Sequence, residues 1–183
     1  MKTKELVYDA LFAAIVIVLG LFPPITLPFI PVPITLQSMG VMLQGSFLGK
    51  KNGFISSLLV VILVLIGLPV LSGGRGGLGI LTGSTGGYFI IWPIAAFVIG
   101  YLVEKLWKKI NFWKYLVVNI IGGIILIDFF GALYLSVIAH MSVMAALISN
   151  LAFIPGDFIK AVIVSLICVA TKKISLIAQI KHE

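Results

Sequence analysis

The chain has 183 residues, 61% of them apolar and 10% charged, and a formal net charge of +7. Ordinary soluble domains are about 45–50% apolar, so this composition excludes that class and predicts an integral membrane protein. At about 20 residues for each crossing helix plus connections, six membrane spans are near the maximum for a chain of this length. Its single cysteine, Cys168, excludes a disulfide within the chain, and two distant histidines do not suggest a metal site.

Six apolar runs predict six transmembrane helices in one all-α domain that comprises residues 1–183. The runs cover residues 6–22, 34–49, 53–72, 86–106, 115–138 and 155–174. The first run lacks the small-residue cleavage site of a signal peptide, so we expect a retained first helix. Runs two and three are short, which predicts tilted helices or a locally thinned bilayer.

The distribution of basic residues predicts the orientation of these helices. Eleven of the thirteen lie near a terminus, between spans two and three, or between spans four and five: Lys2, Lys4, Lys50, Lys51, Lys105, Lys108, Lys109, Lys114, Lys172, Lys173 and Lys181. Short basic segments stay in the cytoplasm, so both termini are expected there, in a multi-pass protein of a bacterial-type plasma membrane. Because the lysines are divided among four short segments, we expect lipid and no nucleic acid around this chain.

The two connections expected on the outer side before span four have unusual compositions. PPITLPFIPVPITLQ contains five prolines, which favour stiff extended backbone. LSGGRGGLGILTGSTGGY is rich in glycine, which allows close backbone approach to a ligand. Both segments keep apolar residues, so we expect them to cap a pocket on the outer face; two ordinary outer loops are the alternative.

Two charged residues at the outer start of span six form the leading candidate for a ligand contact. Asp157 and Lys160 follow Pro155 and Gly156 at a spacing of i, i+3, which places them on one face of a helix. Charges inside a membrane protein usually face its interior or a cavity. The alternative is an internal ion pair that caps the helix, and the two interpretations are compatible.

Other polar residues lie near the same face. Asp128 lies inside span five, where an interior hydrogen bond, a ligand contact and proton coupling are all open interpretations. Arg75 is either solvated or attracts an anionic ligand. The remaining candidates combine hydrogen-bonding groups with aromatic surface, as small-molecule sites do, and are Thr35, Gln37, Tyr88, Trp92 and Asn150.

Small residues four apart mark close helix packing. Ala10 and Ala14 form one such pair in span one, and Gly45 and Gly49 form another in span two. Each pair serves either packing within this chain or docking onto a partner membrane protein.

Three motifs, PVPITLQ, GLPVLSGGRGGLGILTGSTGGY and FIPGDFIKA, together resemble the BioY family, the biotin-specific substrate-binding components of energy-coupling-factor transporters. The resemblance extends over nearly the whole chain. One departure is Ser84, where the family commonly has proline, and this difference predicts a looser lid.

The resemblance implies a six-helix protein that captures biotin from outside and works with a transmembrane coupling protein and two ATPase subunits. It implies ligand-binding roles for Asp157 and Lys160, and docking of the coupling protein on Ala10 and Ala14. ATP hydrolysis would belong to the partners, and the chain has no Walker A motif. No cofactor is expected.

Two other functions remain to be weighed. A self-contained carrier could couple transport to protons through Asp128 and Asp157. A membrane transferase could use Asp157 or His140, but the sequence lacks a convincing nucleophile and base pair or a metal constellation, so we do not expect an enzyme.

Overall fold

The computed structural model describes residues 3–26, 28 and 31–181. Lys2 and His182 lie outside these residues, as do three positions of the proline-rich connection (27, 29 and 30) and the side chains of Ile180 and Lys181. The described part of the chain is helical, with α1 Thr3–Gly20, α2 Gln37–Leu48, α3 Lys50–Leu65, α4 Gly86–Ile90, α5 Trp92–Leu106, α6 Phe112–Ile138, α7 Val143–Asn150, α8 Ile154–Ala170 and α9 Leu176–Lys181.

Each predicted span contains a helix, but the bounds differ, and the structure adds helices that were not predicted. The third helix ends at Leu65 because Gly67 and Pro69 follow, so residues 66–72 join the glycine-rich connection. The fourth run divides at Ile91 into α4 and α5, with Pro93 in the first turn of α5. Sequence analysis did not anticipate α7, which lies between the fifth and sixth predicted spans.

The described helices differ in their ability to cross a membrane alone. By length and apolarity, α6 is able to span, and α7 with α8 meet the same criteria as a pair bent by 54°. At about 1.5 Å per residue, the 12 residues of α2 reach only about 18 Å, well short of a hydrocarbon core of about 30 Å. The count of six spans and the cytoplasmic location of the termini therefore stay predictions.

Helix α2 is the centre of the bundle. It contacts α1, α3, α5, α6, α8 and α9, and 10 of its 12 residues are buried. Gly45 and Gly49 are needed for this packing, since a Cβ atom on Gly45 would lie 2.6 Å from the Ala96 carbonyl oxygen. A Cβ atom on Gly49 would lie 2.6 Å from Glu104 Oε1, and Gly49 also has a φ of +85°. The predicted glycine pair thus serves packing within the chain.

The alanine pair of α1 has the opposite orientation. Ala10 and Ala14 are exposed, whereas Phe12, Ala13 and Val16 face the core. The outward side of α1 also carries the large apolar residues Leu6, Val7, Leu11 and Val18. Ala10 and Ala14 therefore do not pack into the core of this chain.

Apolar side chains also cover the outside of α6 and α8. Ile125 and Phe129 of α6 and Ile159 and Leu166 of α8 are among the exposed large hydrophobic residues. Soluble monomers rarely expose large contiguous apolar patches, because such surfaces associate in water. The outer surface of the bundle is instead suited to contact with lipid.

Candidate ligand-binding site

A cavity lies where the end of the proline-rich connection meets the start of α2, the α4–α5 junction, α6 and the start of α8. It contains about 460 Å³ of unfilled space, a figure that includes its open mouth. Apolar groups such as Val32, Ile127 and Phe153 form much of its wall. Its polar and aromatic lining includes Thr35, Ser38, Tyr88, Asp128, Asp157 and Lys160, together with Trp92.

The charged pair of α8 lies in the wall of this cavity. Lys160 Nζ is 2.7 Å from Asp157 Oδ1, and the two side chains are only 7% and 10% exposed. The pair is the predicted i, i+3 arrangement, made possible by the start of α8 at Ile154. Its ion pair and its position in the cavity agree with both interpretations of these residues.

Ser38 joins the same group from α2, and sequence analysis did not single it out. Its hydroxyl donates to Asp157 Oδ1 at 3.4 Å and accepts from Lys160 Nζ at 3.1 Å. The only local signal was a small polar residue beside Gln37. Because Ser38 and Asp157 are 119 positions apart, only the packing of α2 against α8 brings them together.

A second polar group connects α4, α6 and α7. The Tyr88 hydroxyl donates to Asn150 Oδ1 at 2.6 Å, and Asn150 Nδ2 donates to the Asp128 backbone carbonyl at 2.8 Å. Asn150 therefore lies behind Tyr88 and holds its ring in place. Gly131 leaves room for that ring, since a Cβ atom there would lie 2.2 Å from two of its carbons.

Gln37 is buried and tied to backbone groups. Its Nε2 donates to the carbonyls of Val16 at 3.2 Å and Val70 at 3.0 Å, and its Oε1 accepts from the Ser72 N–H at 2.9 Å. These bonds join the end of α1, the start of α2 and the glycine-rich connection. Gln37 thus shapes the site, and a direct ligand contact stays a prediction.

A second cavity, with about 380 Å³ of unfilled space including its open mouth, adjoins the first and is lined in part by Arg75. The two cavities lie side by side, and they share Val32, Pro33, Thr35, Tyr88 and Trp92 as lining residues. Arg75 Nε donates to the Ser72 carbonyl at 3.1 Å. Burial lowers the pKa of its guanidinium from the ordinary value, yet arginine remains charged at neutral pH. Of the two interpretations of Arg75, its half-buried position favours attraction for an anionic ligand.

The proline-rich and glycine-rich connections contact each other beside this site. The Ser84 hydroxyl donates to the Pro31 carbonyl at 2.9 Å, which joins the glycine-rich connection to the proline-rich one. Gly73, Gly74 and Gly77 have φ values of +80°, +68° and +88°, which only glycine adopts readily. Serine in place of the family's usual proline at position 84 predicts a looser lid. The hydrogen bond of Ser84 to the other connection opposes that effect.

These features define an all-helical membrane protein with a partly enclosed cavity that is the candidate small-molecule site. The BioY family model matches residues 1–176, and the chain belongs to the BioY family. It is 49% identical over 172 residues to "Biotin transporter BioY" of Rhizobium etli, covering 91% of this chain and 92% of that protein. It is 46% identical over 166 residues to "Biotin transporter BioY" of Lactococcus lactis subsp. cremoris, with coverages of 88% and 87%.

A solved structure has the same fold. It is the crystal structure at 2.1 Å of the S-component for biotin from an ECF-type ABC transporter, with a TM-score of 0.91 and 44% identity. The match covers 94% of this chain and 92% of that chain. The resemblance seen in the sequence motifs and the all-α prediction are thereby confirmed.

Proposed function

We propose that this chain is the biotin-binding substrate-specificity component of an energy-coupling-factor transporter, which captures extracellular biotin for import. The match to the solved S-component for biotin over nearly the full length of both chains is the observation that carries the proposal. It favours a binding component over a self-contained proton-coupled carrier. It also favours a transporter component over an enzyme.

The chemistry of the cavity suits the polar head of biotin. The ureido ring has two N–H donors and one carbonyl acceptor. Asp157 is able to accept from an N–H, and Lys160 is able to donate to the carbonyl. Thr35, Tyr88 and Trp92 would enclose the ring system, while Asn150 and Gln37 hold the walls. The opposite orientation places Lys160 on the carboxylate of the valerate chain.

The membrane arrangement follows from the charge distribution. We infer six spans in a single domain, both termini in the cytoplasm of a bacterial-type cell, and the cavity on the outer side. A transmembrane coupling protein and two ATPase subunits would then supply the energy for release to the inside. The exposed Ala10 and Ala14 are the proposed contact for the coupling protein, because small side chains let helices approach closely.

Equilibrium titration of the detergent-purified chain with biotin tests the function. We expect one biotin bound per chain without turnover, with desthiobiotin and lipoate as weaker competitors. If a folded preparation binds neither biotin nor its analogues saturably, the proposal is refuted.

Binding of biotin is expected to order the glycine-rich connection. Residues 72–87 contact the proline-rich connection through Ser84 and carry Arg75 at the second cavity, so a bound ligand would hold both connections together. Amide hydrogen exchange across 72–87 should slow when biotin is saturating, while exchange in the distant turn 107–111 stays unchanged. Equal exchange with and without biotin would indicate a preformed, open site.

A further inference from the structure

Helix α1 carries a buried acid, Asp9, on the side that faces α3. The residue is only 3% exposed, and Asn52 Nδ2 of α3 donates to its Oδ1 and Oδ2 at 3.1 and 3.2 Å. The Ser56 hydroxyl, one helical turn further along α3, donates to the Asp9 backbone carbonyl at 2.7 Å. The side chain and the backbone of Asp9 are therefore both bonded to the same neighbouring helix.

Two glutamines of α2 continue this row of bonds along α1. Gln44 Nε2 donates to the Ser56 hydroxyl at 2.9 Å and to the Phe12 carbonyl at 3.5 Å. Gln37 Nε2 donates to the Val16 carbonyl at 3.2 Å. The three bonded carbonyls of α1 are three and four positions apart, so they lie on one face of the helix. Polar side chains of α2 and α3 thus define the inner face of α1 over about two turns.

Apolar packing alone would allow α1 to face the core in two ways. One is the observed face, which includes Val16; the other lies about 100° around the helix axis and contains the small residues Ala10 and Ala14. Small residues four apart favour close helix packing in a membrane. A helix turned by that amount would bury Ala10 and Ala14 and would separate the Asp9 side chain from Asn52. Unpaired polar groups inside a membrane protein are costly, so the contacts of Asp9 favour the observed face.

We infer that Asp9 is a positioning residue that fixes the rotation of α1 about its own axis through its bonds to Asn52 and Ser56. In this setting Ala10 and Ala14 face outward. The inference rests on the proposed function, in which these two alanines contact the coupling protein. The bond from Asn52 requires only an acceptor oxygen on Asp9, which a carboxyl group retains whether or not it is protonated. Asp9 lines neither of the two cavities described above, so its role concerns assembly and not biotin binding.

Labelling of single cysteines in a Cys168→Ala background measures the rotation of α1. Ala10→Cys should react readily with a maleimide, whereas Ala13→Cys should be protected, because Ala13 is only 2% exposed. Asn52→Asp places two carboxyl groups against each other and should raise the labelling rate at position 13 by about 10-fold, the effect of losing a buried hydrogen bond. Addition of Asp9→Asn restores an acid and amide pair with its members exchanged, so labelling should return to the level seen without either change.

Ser56 and Ser57 provide a matched pair of variants on α3. Both are fully buried, but Ser56 bonds to α1, whereas the Ser57 hydroxyl has no hydrogen-bond partner among the described residues. Ser56→Ala should therefore raise labelling at position 13 and reduce co-purification of the coupling module. Ser57→Ala removes the same atom from the neighbouring position and should match wild type in both assays.

Co-purification and biotin titration distinguish this inference from the proposed function. Recovery of the coupling module should fall in Asn52→Asp and return when Asp9→Asn is added, while biotin binding stays like that of wild type. Unchanged labelling in Asn52→Asp, or no recovery in the exchanged pair, would overturn the positioning role. If Asn52→Asp does not fold, equal labelling in Ser56→Ala and Ser57→Ala would overturn it. Labelling that changes as expected without any change in co-purification would uphold the positioning role and would refute docking on this face of α1.

Discussion

Replacement of Lys160 by alanine is expected to reduce biotin affinity by about 100-fold or more. Lys160 and Asp157 form a nearly buried ion pair at 2.7 Å, and removal of one partner leaves the other as an uncompensated charge. Breaking such a pair typically costs about 3–5 kcal/mol, part of which is lost stability of the unliganded protein. The lost donor to the ligand carbonyl adds to the effect on binding.

The Asp157→Asn variant distinguishes the contribution of the negative charge to biotin binding from that of the side-chain shape. Asparagine keeps nearly the same volume and can still accept from Ser38, so the protein should fold while biotin binding falls by about 10-fold to 100-fold. In the double variant Asp157→Asn/Lys160→Ala, the loss of binding free energy should be smaller than the sum of the losses in the two single variants. The two residues are in contact, so their effects are not additive.

Isothermal titration measures the biotin affinity of each variant, and thermal unfolding measures its stability without ligand. Ile159→Ala is the matched control, since Ile159 lies between the two charged residues on the exposed side of α8. If Asp157→Asn and Lys160→Ala are both well folded and bind biotin like wild type, the assignment of the charged pair to ligand binding is wrong.

Replacement of Ala14 by tryptophan is expected to abolish stable assembly with the coupling protein and to leave biotin binding unchanged. Ala14 is exposed on α1, on the side that also carries Ala10, Leu11 and Val18. Association of helices in a membrane depends on close packing, because lipid provides no hydrophobic drive to compensate for a poor fit. An indole at this position would hold a partner helix away.

Two assays on the same preparation separate docking from folding. Co-purification with the coupling module should be lost in Ala14→Trp, whereas biotin titration of the isolated chain should match wild type, because Ala14 lines neither described cavity. Ala170→Trp makes the same change at an exposed alanine of α8 and should retain assembly. Intact co-purification of Ala14→Trp, or loss of biotin binding with assembly preserved, would refute docking on this face.

Local patterns were sufficient for several features of the molecule. Its apolar composition and apolar runs predicted helices at the right places, and the i, i+3 spacing of Asp157 and Lys160 predicted their pairing on one face of α8. The three sequence motifs identified the family. These inferences succeed because helical periodicity and residue spacing act within a few residues of one another.

The arrangement of the remaining site residues depended on the tertiary structure. The sequence did not reveal that Gln37 is tied to the backbone, that Asn150 lies behind Tyr88, or that Ser38 completes the charged group. Residue spacing alone did not distinguish Ala10 and Ala14, which face outward, from Gly45 and Gly49, which pack inward; only the family resemblance assigned the alanine pair to docking.

The physical reason is that these outcomes depend on which helix lies opposite. Small residues four apart look alike on any helix, and only the contacts of α2 with its neighbours make one pair internal. Asp128 illustrates the same limit, because its sequence context allowed several partners. The packing of α6 against α8 and the π-helical segment before Asp128 decided that its carboxylate lies at the cavity with no partner among the described residues.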